Sequence, residues 1–177
     1  MQAAHIVLTL VAGYVIFSYL EYAGHRSLLH KMRMANRLNS KWLRTICINH
    51  MKLHHGTDFD HKHPQKDDDP VMLAVTGIVV MALPTALLHH FLPHCAYALI
   101  AFGAAYAILA HLVHQEFHNK TGAFYSHNAY FRYLKRCHRL HHEQPGTNFN
   151  VILPLFDWLM GTQAKADALR PAYASAE

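Results

Sequence analysis

Eighteen of the 177 residues are histidines, more than lysine and arginine together at 16. A neutral imidazole carries a lone pair that can bind a metal or a proton near physiological pH. Most of these histidines are grouped: His25 and His30; His50, His54 and His55; His111, His114 and His118; His138, His141 and His142. On an α-helix, residues four apart share a face, so His50 and His54 are expected to converge on one metal. His55 points about 100° further round, so a His-His pair serves two neighbouring sites. His138, His141 and His142 repeat the pattern, the first and last being four apart, and His111, His114 and His118 form one stripe. Neutral imidazole suits iron and zinc, and a site assembled from several helices is a recurrent bundle device. Other metal chemistries fit less well. In His114-Gln115-Glu116-Phe117-His118 the glutamate sits one position late for a metalloprotease helix. A haem held between spans needs only a few axial histidines.

The segments that must position these residues are apolar. Hydrophobic residues make up 52% of the chain and charged residues 15%, well below the roughly 25% charged of an average soluble domain. With 8 Gly and 7 Pro, collagen-like and disordered classes are excluded. Three cysteines without a CxxC spacing (Cys47, Cys95, Cys137) argue against a disulfide scaffold. Spans are expected at about 3–20, 71–88 and 95–113. The first lacks any charged side chain and reaches roughly 27 Å as a helix, close to a bilayer core. It reads as a retained span rather than a signal peptide, because no Lys or Arg precedes it and no A-x-A site closes it. The second follows Pro70, with Asp69 as a possible cap and Pro84 as an expected kink. The third is rich in Ala and Gly, which let membrane helices pack closely. The short stretch from His89 to His94 makes the second and third a helical hairpin.

The basic residues are one-sided. Nine lie between Arg26 and Lys66 and seven between Lys120 and Arg170, with none before Arg26 or in the hairpin turn. Three crossings put both basic regions on one face, which the positive-inside rule makes cytoplasmic, with the N-terminus outside. The histidine groups fall on that face, as a helical cap over an all-α integral membrane protein. The positive charge then flanks membrane spans and faces lipid headgroups, so nucleic acid is not expected as a partner. One domain is expected over 1–162, followed by a tail at 163–177. His5, His89, His90 and His94 lie on the opposite side, and His63 and His127 are expected in loops.

In order and spacing, His25-x4-His30, His50-x3-His54-His55, His114-x3-His118 and His138-x2-His141-His142 resemble the histidine boxes of the fatty acid hydroxylase/sterol desaturase superfamily. Glu21-Tyr22 before the first box and Phe156-Asp157-Trp158-Leu159-Met160-Gly161-Thr162 resemble it too, so the likeness runs from about 21 to 162. It implies an integral-membrane oxygenase that uses O2 and electrons to hydroxylate or desaturate C–H bonds of lipids. It also implies a dinuclear centre, generally of two iron ions, with zinc possible in purified protein. Carried over box by box, the ligands are His25, His30, His50, His54, His55, His114, His118, His138, His141 and His142. Ten nitrogens would leave each metal about five, with an open position for oxygen. Leu112-Val113-His114-Gln115 and the stretch from Tyr133 to His142 also look like bacterial carotenoid hydroxylases.

Further candidates surround this set. His61 and His111 are expected as supports or alternative ligands, Asp157 as the anchor of a ligand histidine or the cap of a turn, and Tyr22, Asn148 and Trp158 as packing around the site. Tyr14, Phe17, Tyr106 and the Ala/Gly face of the third span are candidate borders of a channel for a lipid tail. No Gly-x-Gly-x-x-Gly or P-loop is present, so electrons are expected from a separate reductase, ferredoxin or cytochrome. The expected function is O2-dependent hydroxylation of a lipid-like substrate (fatty acyl, sterol or similar), with carotenoid hydroxylation or lipid desaturation as variants. A membrane metal transporter or sensor is the alternative of another class. It would spread ligands along a path through the spans.

Overall fold

The computed structural model describes residues 2–56, 70–119 and 122–164, and these contain helices and turns but no strand. Helix α1 (Gln2–Gly24) runs directly into a π-helical turn, His25–Leu29. Two short helices follow, α2 (Met32–Arg37) and α3 (Lys41–Asn49), and a second π-turn at His50–His54. Then come α4 (Pro70–Phe91) and α5 (Pro93–Asn119), a 3-10 turn at Phe124–His127, α6 (Ala129–Glu143) and α7 (Leu155–Leu159). His61, His63, Asp69 and the tail beyond Ala164 lie outside the described residues.

Local chemistry accounts for the breaks. Asn39 takes a left-handed φ of 45° between α2 and α3, a conformation that asparagine tolerates better than most residues. Ser40 caps α3 by accepting the Leu43 N–H at 3.3 Å, and Asn128 caps α6 by accepting the Tyr130 N–H at 2.7 Å. The hairpin is tighter than expected, since Leu92 is the one non-helical residue between α4 and α5. Pro93 opens α5 at a position that needs no N–H donor. Helix α4 continues through Pro84.

Among the described residues two helical stretches are long and apolar enough to cross a membrane, Gln2–Leu29 and Pro93–His118. Their packing is inverted relative to a soluble core helix. In α1 only Gly13, Ser18 and Tyr22 are buried, while Val7, Leu8 and Val11 are more than half exposed. Such surface is stable against lipid and costly against water.

Helices α1 and α5 meet through small residues. A Cβ at Gly13 would lie 3.1 Å from Leu99, and one at Gly103 would collide with the ring of Phe17. Phe17 in turn packs 5.9 Å from Phe102 and 5.8 Å from Tyr106, centroid to centroid. Phe17, one of the candidate channel borders, thus lies against the Gly103 face of α5. An apolar cluster at the C-terminal end of α5 joins Val113 and Phe117 to Phe131 and Leu134 of α6. That contact brings the histidines of α5 and α6 together.

Candidate metal centre

The two π-turns decide which histidines meet. In a π-turn the hydrogen bond closes five residues on, and here the His30 N–H donates to the His25 carbonyl at 3.2 Å. The His55 N–H likewise donates to the His50 carbonyl at 3.0 Å. Residues five apart therefore sit over one another: the rings of His25 and His30 are 5.1 Å apart, and those of His50 and His55 4.9 Å. On the regular α6 the spacing is four, and the rings of His138 and His142 lie 4.8 Å apart.

The result is two groups whose ligand nitrogens each lie within 4.8 Å of one another. The first contains His25, His30, His50, His55 and His141; the second contains His54, His118, His138 and His142. Both His-His pairs divide between the groups, as the helical angle requires. The expected convergence of His50 and His54 is corrected. The π-turn matches His50 with His55, and although His50 stacks 4.9 Å from His54, His54 joins the second group. His114 stands beside the second group, its ring 4.8 Å from His54 and 4.7 Å from His138. His111 belongs to neither group.

The geometry fits a metal ion. In the first group the Nε2 atoms run in a chain: His25 to His50 at 3.1 Å, His50 to His30 at 3.2 Å, His30 to His141 at 3.0 Å. Two nitrogens bound at right angles to one ion at about 2.1 Å would lie about 3.0 Å apart. Hydrogen bonding alone cannot satisfy the chain. The Nδ1 of His25 meets the Phe149 carbonyl at 2.6 Å and that of His141 meets the Thr147 carbonyl at 2.6 Å. A carbonyl only accepts, so both rings carry their proton on Nδ1 and present a bare lone pair at Nε2. His50 must then donate to His25 and His30 to His141, which leaves two N–H groups facing each other between His50 and His30. A cation among the four removes the conflict. His55 is consistent with this, since both its ring nitrogens are buried without a hydrogen-bond partner among the described residues. In the second group His54, His142, His138 and His118 are linked through Nε2 at 3.0, 3.2 and 3.0 Å.

Burial keeps the rings of His30, His55, His138, His141 and His142 neutral. Desolvation, with the neighbouring His50 second, lowers His30 from 6.5 to about 3, and desolvation takes His55 to about 3 as well. His138, His141 and His142 are also lowered, chiefly by desolvation and then by adjacent imidazoles. Lone pairs are therefore available for a metal across the neutral range.

Asp157 supports the site at one remove. Its buried carboxylate accepts the N–H groups of Phe149 at 2.8 Å and Asn150 at 2.7 Å, and the Thr162 hydroxyl at 2.8 Å. Of the two roles expected for it, anchor of a ligand histidine or cap of a turn, its hydrogen bonds match the second: it holds the loop whose carbonyls meet His25 and His141. Tyr22 is buried edge-on to Phe149 at 5.6 Å. Asn148 is buried with φ 49° and accepts the Ala164 N–H at 3.1 Å. Trp158 is corrected, being 69% exposed. Glu116 is buried and accepts the N–H groups of Gly122 and Ala123, tying down the turn after α5. Away from the groups, His5 stacks on His94 at 6.2 Å, His89 meets Tyr97, and His127 is exposed.

Sequence reasoning did not find Thr147, Phe149 or Asn150 as part of the site. The first two serve through backbone carbonyls, which no side-chain pattern reports. Asn150 does so through a contact with α1, more than a hundred residues away.

The model of a family described as Fatty acid hydroxylase matches residues 10–162. No curated protein and no solved structure matches the chain.

Proposed function

The chain belongs to the fatty acid hydroxylase family, and from that premise we propose that it is an O2-dependent membrane hydroxylase acting on C–H bonds of a lipid-like substrate. The observation that carries the reading is the pair of adjacent histidine groups, bound to each other by His54-His55 and His141-His142. His25, His30, His50, His55 and His141 would hold one iron, and His54, His118, His138 and His142, with His114 beside them, a second. When bound, such a pair supplies the activation of O2 that no side chain can provide.

The protein's own contribution is positional. The carbonyls of Thr147 and Phe149 hold the protons of His141 and His25 away from the centre. Burial keeps His30, His55, His138, His141 and His142 unprotonated near neutral pH, so their lone pairs stay open to the metals. Both groups gather at one end of the long helices: the first follows α1 directly and the second includes His118 near the end of α5. This one-sidedness favours a catalytic centre over a transport path. We place α1, α4 and α5 across the membrane, with the N-terminus outside and the histidines at the cytoplasmic surface. There a separate reductase, ferredoxin or cytochrome delivers electrons.

Metal analysis of detergent-purified protein expressed with added iron, followed by lipid turnover with O2 and a reductase, tests the proposal. Two metals per chain, mainly iron, and O2-dependent oxygen insertion are expected. Two zinc ions would keep the architecture and call for iron reconstitution. One metal or none in folded protein would overturn it.

A further inference from the structure

Helix α1 carries a single acidic residue, Glu21, in a segment otherwise free of charge. A carboxyl at the end of an apolar helix is costly unless its partners are arranged for it. Glu21 belongs to neither histidine group, yet its Oε2 accepts two hydrogen bonds from distant elements. The Tyr106 hydroxyl of α5 donates at 3.0 Å, and the Asn150 Nδ2 donates at 2.9 Å.

Asn150 is the hub of the segment that orients the first group. Its side-chain N–H also donates to the Ser18 carbonyl at 2.9 Å, and its Oδ1 accepts the Asp157 N–H at 3.3 Å. Its backbone N–H, with that of Phe149, goes to the Asp157 carboxylate. The peptide between Thr147 and Asn150 is thus gripped from both sides, by Asp157 after it and by Glu21 on α1. Both carbonyls that set a histidine proton, Thr147 and Phe149, lie in this stretch. His25 stands one turn beyond Glu21 on the same rod, so one end of the grip is built into the element that carries the ligand.

We propose that Glu21 is a positioning residue for the first histidine group, acting through Asn150 on the carbonyls that keep the protons of His25 and His141 on Nδ1. The inference rests on the metal-centre reading above. It assigns Glu21 no contact with substrate or metal. A group that hydrogen-bonds a metal-bound histidine directly changes metal affinity by roughly 10–100-fold when removed; Glu21 acts on two such groups, the Phe149 and Thr147 carbonyls, through Asn150.

The test is zinc binding to the purified full chain, by competition with a chelator, for the wild type, Glu21→Ala, Glu21→Gln and Asn150→Ala. His54→Ala and His141→Ala backgrounds assign the two equivalents to their groups. Glu21→Ala is expected to weaken the first group's zinc at least tenfold and leave the second group's unchanged, with helical circular dichroism intact. Asn150→Ala, which cuts the link while keeping the carboxylate, should reproduce that loss. Glu21→Gln, which keeps one acceptor oxygen, should fall between. In histidine-labelled protein, long-range 1H–15N correlations should show that His25 no longer holds a single Nδ1–H form in Glu21→Ala. Wild-type affinity for both equivalents in Glu21→Ala and Asn150→Ala would overturn the proposal. So would equal weakening of both equivalents, which would mark a general loss of packing. If the wild type itself takes up no zinc, the metal-centre reading fails first and this inference falls with it.

Discussion

At the scale of single residues, the site depends on nitrogens that cannot satisfy one another. His54→Ala and His141→Ala each remove a nitrogen from a different group, so either should abolish lipid oxidation and lower metal content while the protein stays in the membrane. Full activity in either variant, assayed beside elemental analysis, would remove that residue from the ligand set. Asp157 is fully buried and accepts three hydrogen bonds. Asp157→Ala leaves the Phe149 and Asn150 N–H groups without that acceptor, at about 1–3 kcal/mol for each buried group so stranded. A melting temperature lowered by several degrees is expected, together with weaker metal binding at the first group. An unchanged melting curve would mean that the loop is held elsewhere.

The distinctive elements are the two π-turns, each carrying a histidine pair at a spacing of five. π-Turns recur at functional sites because the wider turn re-aims side chains. Inserting one alanine after Ser27 widens the spacing to six, which no helical turn brings onto one face, so His30 should rotate away from His25 and the protein should bind one metal in place of two. Two metals per chain in the insertion variant would show that the π-register is dispensable. At the α1–α5 crossing, Gly103 leaves room for the Phe17 ring. Gly103→Leu should destabilise the helix pair by about 1–3 kcal/mol through overpacking, and adding Phe17→Ala should recover part of the loss. Thermal unfolding in detergent reads both.

On the scale of the whole molecule, long apolar helices gather titratable groups at one end, and burial there has a consequence for pH. His30 and His55 are held at about 3, below their ordinary 6.5, and His138, His141 and His142 are lowered as well. Between about 3 and 6.5 the unfolded chain binds more protons than the folded one, so the stability of the metal-free protein rises with pH across that window. Bound metal adds the same sign, because protons compete for the same lone pairs. Melting temperature and metal content should both fall as pH is lowered from 7 to 5. A flat profile would mean that these imidazoles do not stay neutral through burial.

Helix type and the division of paired histidines follow from local sequence. Apolar runs of about twenty residues become helices wherever backbone groups must bond internally, and adjacent residues on any helix diverge by about 100°. His54 and His55, or His141 and His142, therefore had to face different ways, and the family boxes are legible as spacing alone. Three features depend on the folded chain. The π-turns pair His50 with His55 rather than His54, because the choice between four- and five-residue closure depends on what the turn packs against. The proton positions on His25 and His141 are set by main-chain carbonyls that arrive from a loop more than a hundred residues beyond His25. Glu21 reads in sequence as a neighbour of the first box. Its link to that loop exists only because α1, α5 and the 147–152 stretch meet, a long-range contact that local pattern does not encode.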